Sequence, residues 1–417
     1  MRSTPTALAV SAAVLALLAT PAGAQGRKGQ AQPATTAVQA GERTLAISKE
    51  ARPTIAALQT AVRARDAAAF GPALQAAQAA ARSADDRFAV GSLQREYAFA
   101  LGDKPGQIAA IEAMLASGAP FAEGDAIRYN LALAELAEQT NKLDRSAQAF
   151  EEVARLQPTN ADALSNLSII RARQGRDADA MNALNRAVQA RKAAGQPVPE
   201  AWLNRVRSLA FRQKNNPLTL QANYDLLAAY PTAANWRDAL QTHQSLVPLD
   251  EAAEIDRLRL MRAAGALAGE RSYRFMAEVL LQRGLPGEAK AVLDEGVAKN
   301  QVNPREPAFA QLIRDANTRA AANRGTLASS ESSANNARAF QGVADANYGF
   351  GNYAKAADLY RRALAAGVGD ASLLNLRLGM ALAQAGDKAG AQAALSQVTS
   401  GPRADLARYW LLWTNRA

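Results

Sequence analysis

His243 is the single histidine among 417 residues, and the chain has no cysteine. A Ser–His–acid relay would have to pass through His243, and no G-x-S-x-G turn accompanies it. The missing cysteines exclude disulfides, thiolate metal sites, cysteine nucleophiles and lipid attachment to an N-terminal Cys. A histidine-rich metal centre lacks its second ligand. Within QTHQSLVP, His243 reads as a surface or capping histidine near a helix end.

Two other patterns could do chemistry. Asp250, Glu251, Glu254 and Asp256 are close in sequence, and paired carboxylates can move protons or hold a hard cation. Pro248-Leu249-Asp250 looks like a helix start, however. Asp250 can cap that helix, and the other acids can sit at its positive end or pair with Arg257 and Arg259. Gly349-Phe350-Gly351-Asn352-Tyr353-Ala354 has the G-x-G-x-x-A spacing of a dinucleotide site, but a helical pattern precedes it where a strand is required. The sequence has no P-loop, H-E-x-x-H or EF-hand motif. No catalytic residue, metal or cofactor is expected.

The elements that carry these residues are helical. Ala, Leu, Gln, Arg and Glu dominate and lose little freedom in a helix. Aromatics are 6%, and alternating Val/Ile/Thr runs are scarce. With 49% hydrophobic and 21% charged residues, the chain can bury a core. The net charge of +10 is spread along the sequence without a run of five like charges, so it names no ligand.

Met1 to Gly26 carries an address. Arg2 precedes the apolar stretch Ala7 to Leu18, and Ala22-Gly23-Ala24 follows as a small-residue cleavage site. That stretch is well short of the ~20 residues that span a bilayer. Residues 1–24 are expected to be a signal peptide and the mature chain to start at Gln25, in a bacterial periplasm, with secretion as the alternative. No later segment has spanning length, and Trp410-Leu411-Leu412-Trp413 is too short.

After a leader (25–44) expected to be flexible, helix follows short helix. Shifting by 34 residues places Leu133 on Leu167, Asn141 on Gly175, Ser146 on Ala180, Phe150 on Leu184 and Val153 on Ala187. The same series returns as Gly284, Ala289, Leu293, Gly296; as Gly351, Ala356, Tyr360, Ala363; and as Gly386, Ala391, Leu395, Val398. This pattern resembles the tetratricopeptide repeat (TPR). A small residue lets the two helices of a hairpin approach, and the large one fills the space against the next hairpin. Segments 50–81, 88–117 and 200–231 are degenerate helical pairs, with Gln107 and Asn223 at positions that should be apolar or small.

The resemblance implies an all-α fold of tandem antiparallel hairpins in a right-handed superhelix, with a groove lined by the first helix of each pair. The expected organisation is an array over 45–325, a Ser/Asn-rich linker over 326–336, and a repeat pair with a capping helix over 337–417. By register, groove positions are Arg128, Glu135, Asn166, Ile169, Arg173 and Arg205, then Arg338, Gln341 and Asp345. Some family members clamp a terminal carboxylate from successive first helices. Asn166 falls at one clamp position, but Leu131 and Glu135 replace its basic or amide groups, so that ligand is not expected. The leading functional expectation is a scaffold or adaptor for a protein or peptide in the cell envelope. An acidic polysaccharide carrier, suggested by charge and export, and a hydrolase with a degenerate site are the alternatives. Export and the lack of aromatic–basic interleaving argue against nucleic acid.

Overall fold

A computed structural model describes residues 37–40, 43–122, 124–367 and 369–415. The expected signal peptide and residues 25–36 lie outside the described residues. The chain divides into two compact units between Val198 and Pro199. The division follows from local chemistry. Gly195 takes a left-handed turn (φ +65°) after a helix, and Pro197 and Pro199 then withhold the amides that a continuing helix needs.

Unit 1 opens with a hairpin of two short strands, β1 (Ala37–Ala40) and β2 (Arg43–Ala46), paired antiparallel with Ala37 opposite Ala46. Part of the segment expected to be a flexible leader is therefore strand. Buried Leu45 and Ile47 anchor it. Four helical pairs follow: α1 (Arg52–Ala64) with α2 (Ala67–Ala80), α3 (Ala84–Ala100) with α4 (Lys104–Leu115), α5 (Asp125–Gln139) with α6 (Leu143–Leu156), and α7 (Ala161–Arg173) with α8 (Asp177–Ala193). Asp86, in the first turn of α3, ties the hairpin down. Its carboxylate accepts the amides of Ser48, Arg82 and Ser83 and the Ser48 hydroxyl, and neighbouring Asp85 accepts the Ala46 amide. Burial raises the Asp86 pKa, but these hydrogen bonds outweigh it and leave the group below its usual value.

Unit 2 contains α9 (Glu200–Arg212) with α10 (Asn216–Ala229), α11 (Ala233–Leu246) with α12 (Glu251–Ala263), and α13 (Gly269–Gln282) with α14 (Pro286–Ala298). A long α15 (Pro307–Ser333) leads to α16 (Ala337–Gly349) with α17 (Tyr353–Ala365), α18 (Ala371–Gln384) with α19 (Lys388–Leu395), and α20 (Pro402–Thr414). The expected linker at 326–336 is mostly the end of α15. The hydroxyls of Ser329, Ser332 and Ser333 donate to carbonyls three residues back, so these side chains sit within the helix instead of breaking it. Glu331 also pairs with Lys355 of α17. One hydrophobic core runs from Leu227 to Trp410 through both sides of that segment, so it separates no domains.

The last helix does more than cap an end. α20 buries Leu406, Tyr409 and Trp410, as its apolar stripe predicts. It also reaches back along the unit: the Trp413 indole donates to the Ala263 carbonyl of α12, Arg403 pairs with Asp250, and Arg408 donates to Gln221 of α10. Unit 2 thus closes back on itself, with α20 packed on α10, α12, α18 and α19.

Candidate functional site

In the five best copies, the turn between the helices holds a residue at positive φ: Asn141 (56°), Gly175 (75°), Gly284 (72°), Gly351 (80°) and Gly386 (84°). Five residues on, Ser146, Ala180, Ala289, Ala356 and Ala391 are all fully buried. Four further on, Phe150, Leu184, Leu293, Tyr360 and Leu395 fill the space against the next helix, each exposed by 1% or less. A left-handed C-cap, a close approach and a wedge thus recur in one order. The chain is a tandem helical-hairpin repeat protein whose pattern resembles the tetratricopeptide repeat. Gly349-Phe350-Gly351 belongs to this framework, ending α16 and turning into α17 rather than following a strand.

The proposed groove positions of this repeat protein fall into separate groups. In unit 1, Arg128 and Glu135 share a face of α5, and Asn166, Ile169 and Arg173 share a face of α7. Arg128 is exposed and paired with Asp125 of its own turn. Arg173 donates to Glu138 (2.9 Å) and Asn141 (3.3 Å), joining successive first helices. Glu135 has its pKa raised by partial burial and then by Glu138. Asn166 is exposed and Ile169 half-buried. In unit 2, half-buried Arg205 lies on α9, where desolvation lowers its pKa. Arg338 is exposed and Gln341 half-buried on α16.

Asp345 departs from expectation. It is buried, because closure of unit 2 brings α12, α14, α16 and α18 around it. The Tyr360 hydroxyl donates to Asp345 Oδ1 (2.6 Å), and Arg377 Nη1 donates to Oδ2 (2.7 Å). Arg377 Nε donates to Asp256 (3.1 Å), and Arg259 Nη1 reaches the same carboxylate (3.1 Å). Arg259 also makes a two-pronged contact with Glu288 through Nε (3.0 Å) and Nη2 (2.8 Å). Its guanidinium lies over the Tyr348 ring at 4.5 Å. Burial raises the Asp256 pKa against the pull of Arg377 and Arg259, and Asp345 adds to the rise. Burial also raises Tyr348 and Tyr360, keeping both phenols neutral.

This network forms the floor of a cleft of about 360 Å³. Asp345 and Arg377 reach its surface, Ile255 and Leu285 supply an apolar wall, and Asp250, Glu251 and Arg283 form its rim. Glu251 pairs with Arg283 across the rim. As the sequence suggests, Asp250 caps α12 by accepting the Ala253 amide, Glu254 pairs with Arg257 and Asp256 with Arg259. The sequence reading missed Arg377, although its signal is visible: a lone arginine inside the apolar run Leu373 to Leu382.

A second cleft, about 590 Å³, lies in unit 1 between α6, α7 and α8. Arg155, Arg171, Arg176 and Arg186 line it with Glu151 and Asp179. Arg171 pairs with Glu151 and Arg176 with Asp179. Register within the first helices could not reveal it, because second helices contribute most of its wall.

His243 is neither on the surface nor a cap. It is fully buried on α11, edge-on to Tyr409 at 5.8 Å, with Nε2 3.8 Å from Asp405. Desolvation, then Arg257, pushes its pKa down to about 4. Neither ring nitrogen has a hydrogen-bond partner among the described residues.

No protein-family model and no curated protein matches the sequence. Among solved structures, the chain is similar to the TPR2AB domain of yeast Sti1 in complex with pHSP90, at 13% identity and a TM-score of 0.26, over 70% of this chain and 100% of that one. It is similar to a tetratricopeptide repeat protein from Parabacteroides merdae at 14% identity and a TM-score of 0.28, over 79% and 98% of the two chains. It is also similar to pilF of Pseudomonas aeruginosa at 14% identity and a TM-score of 0.22, over 66% and 91%. These are likenesses of fold and assign no ligand. Among the described residues no helix is long and apolar enough to cross a membrane.

Proposed function

We propose that this protein is a non-catalytic scaffold that binds a protein partner in the bacterial envelope after export. The carrying observation is the cleft on unit 2, where charged side chains are fixed by burial before any ligand arrives. Such preorganisation lowers the ordering cost of recognition. The N-terminal address supports export to the periplasm. Two measurements test the reading. N-terminal sequencing of the protein from its native host should begin at Gln25, and a start at Met1 contradicts export by cleavage. Crosslinking in intact envelopes should capture a stoichiometric protein partner. Charge reversal at Glu135, Arg173 or Arg338, or changes at the unit-2 rim, should reduce capture, and indifference to all of them opposes the reading.

An acidic polysaccharide remains the second reading, supported by the four arginines of the unit-1 cleft. Binding would then weaken steeply with salt, because exposed charges are screened within about 10 Å at 0.1 M. Arg186→Glu would weaken it further. Salt-insensitive binding opposes this alternative.

A further inference from the structure

We propose that the unit-2 cleft receives a lysine or arginine side chain of the partner polypeptide, with the cation against the Asp345 side of the floor and the adjoining main-chain carbonyl on Arg377. The inference rests on the protein-binding reading and names the chemistry of its ligand.

The sign of the ligand follows from the charges around the cleft. Asp250, Glu251 and Asp345 line it against Arg283 and Arg377. Behind the floor, Asp256 and Glu288 add two carboxylates but only one further guanidinium, Arg259, with Asp256 also sharing Arg377. Arg403 neutralises part of Asp250 but is shared with Asp370, so including that pair adds one charge of each sign. Carboxylates outnumber guanidiniums by two, and most of the floor is out of water, where such an imbalance is felt strongly. A cation entering the cleft offsets it, whereas an anion adds to it.

The remaining features select a polypeptide over a free amine. Arg377 is nine-tenths buried, with Nε and Nη1 committed to Asp256 and Asp345. Among the described residues its Nη2 has no hydrogen-bond partner, and it is not one of the buried orphan atoms, so it faces the cleft as a free donor. A main-chain carbonyl satisfies it. Ile255 and Leu285 provide an apolar wall for the methylene stem of a long basic side chain. The volume, about 360 Å³, is at the small end for ligand sites and suits one side chain with its backbone. Glu251 and Arg283 at the rim satisfy each other in the empty cleft. An incoming cation competes with Arg283 for Glu251.

The test uses the full mature chain on an array of random blocked peptides, with Glu251→Gln and Arg283→Ala as variants. Both positions are at least 45% exposed in their side chains, so folding should survive either change. Peptides containing Lys or Arg should be enriched. Replacing the basic residue by norleucine or Glu should abolish binding. Glu251→Gln should weaken binding by about fivefold and Arg283→Ala should strengthen it by a similar factor, as expected for about 1 kcal/mol from a partly exposed ion pair. A merely structural rim would not give opposite signs. Enrichment of acidic peptides, no enrichment of basic ones, or equal responses of the two variants overturns the proposal. If envelope crosslinking still captures a protein partner and both rim variants leave that capture unchanged, the scaffold reading stands and this cleft assignment alone falls.

Discussion

Arg377 Nε lies 3.1 Å from Asp256 Oδ1, although 121 residues separate them in the chain. That contact, with Arg377 to Asp345 and Arg259 to Glu288, joins α18, α12, α16 and α14 at the centre of unit 2. Buried ion pairs are weak contributors as a whole but costly to break on one side, because the remaining charge is left without its partner. Arg377→Met should therefore lower unfolding stability by about 3–5 kcal/mol, measured by urea denaturation. Adding Asp256→Asn should cost less than the sum of the two single changes. Strict additivity would mean that the two side chains are not coupled.

Two glycines on α16 should respond in opposite directions. A Cβ on Gly349 would lie 2.9 Å from the Glu288 amide nitrogen, a backbone atom that cannot swing away. Gly349→Ala should cost about 1–3 kcal/mol by forcing α16 from α14. Gly342 has nothing within 4 Å of its Cβ position, and Gly342→Ala should stabilise by about 0.5–1 kcal/mol through helix propensity. Equal melting shifts in the two variants would remove close packing as the reason for Gly349.

Ser146 occupies the small position where the next repeat uses Ala180. Its hydroxyl is buried without a hydrogen-bond partner among the described residues. Ser146→Ala should raise stability by about 1 kcal/mol, by removing a desolvated polar group from a helix. A destabilised variant would reveal that the hydroxyl has a partner in solution.

His243 sets an acid limit. Its pKa is 6.5 in the unfolded chain and about 4 in the fold, so between these values the unfolded state binds more protons. Stability is complete above about pH 6.5 and falls as pH drops towards 4, by on the order of 3 kcal/mol. His243→Phe keeps an aromatic ring beside Tyr409 and removes the proton. Comparing denaturation of both proteins from pH 4 to 7 should show a steeper loss for the native chain. Parallel curves would contradict the burial of a neutral imidazole.

The repeat itself was legible because its causes are local. Asn141 and Gly175 mark left-handed turns, and Ser146 with Phe150 marks a close approach and a wedge, all within one hairpin's length of sequence. The segment 326–336 misled because serines favour turns, yet here their hydroxyls bond back into α15. The end of the leader (25–44) misled for the opposite reason: its strands pair with each other and pack against α3, far along the chain. Asp345 was read as an exposed groove position of a first helix, but it is buried on α16 beside Arg377, which also holds Asp256, and no local period connects these residues. The sequence by itself determined the helices and their pairing, since these follow from spacing, turn chemistry and composition over short distances. Only the tertiary structure decided that unit 2 closes, that its groove charges neutralise one another incompletely, and that His243 is sealed from water, because each depends on side chains brought together from distant repeats.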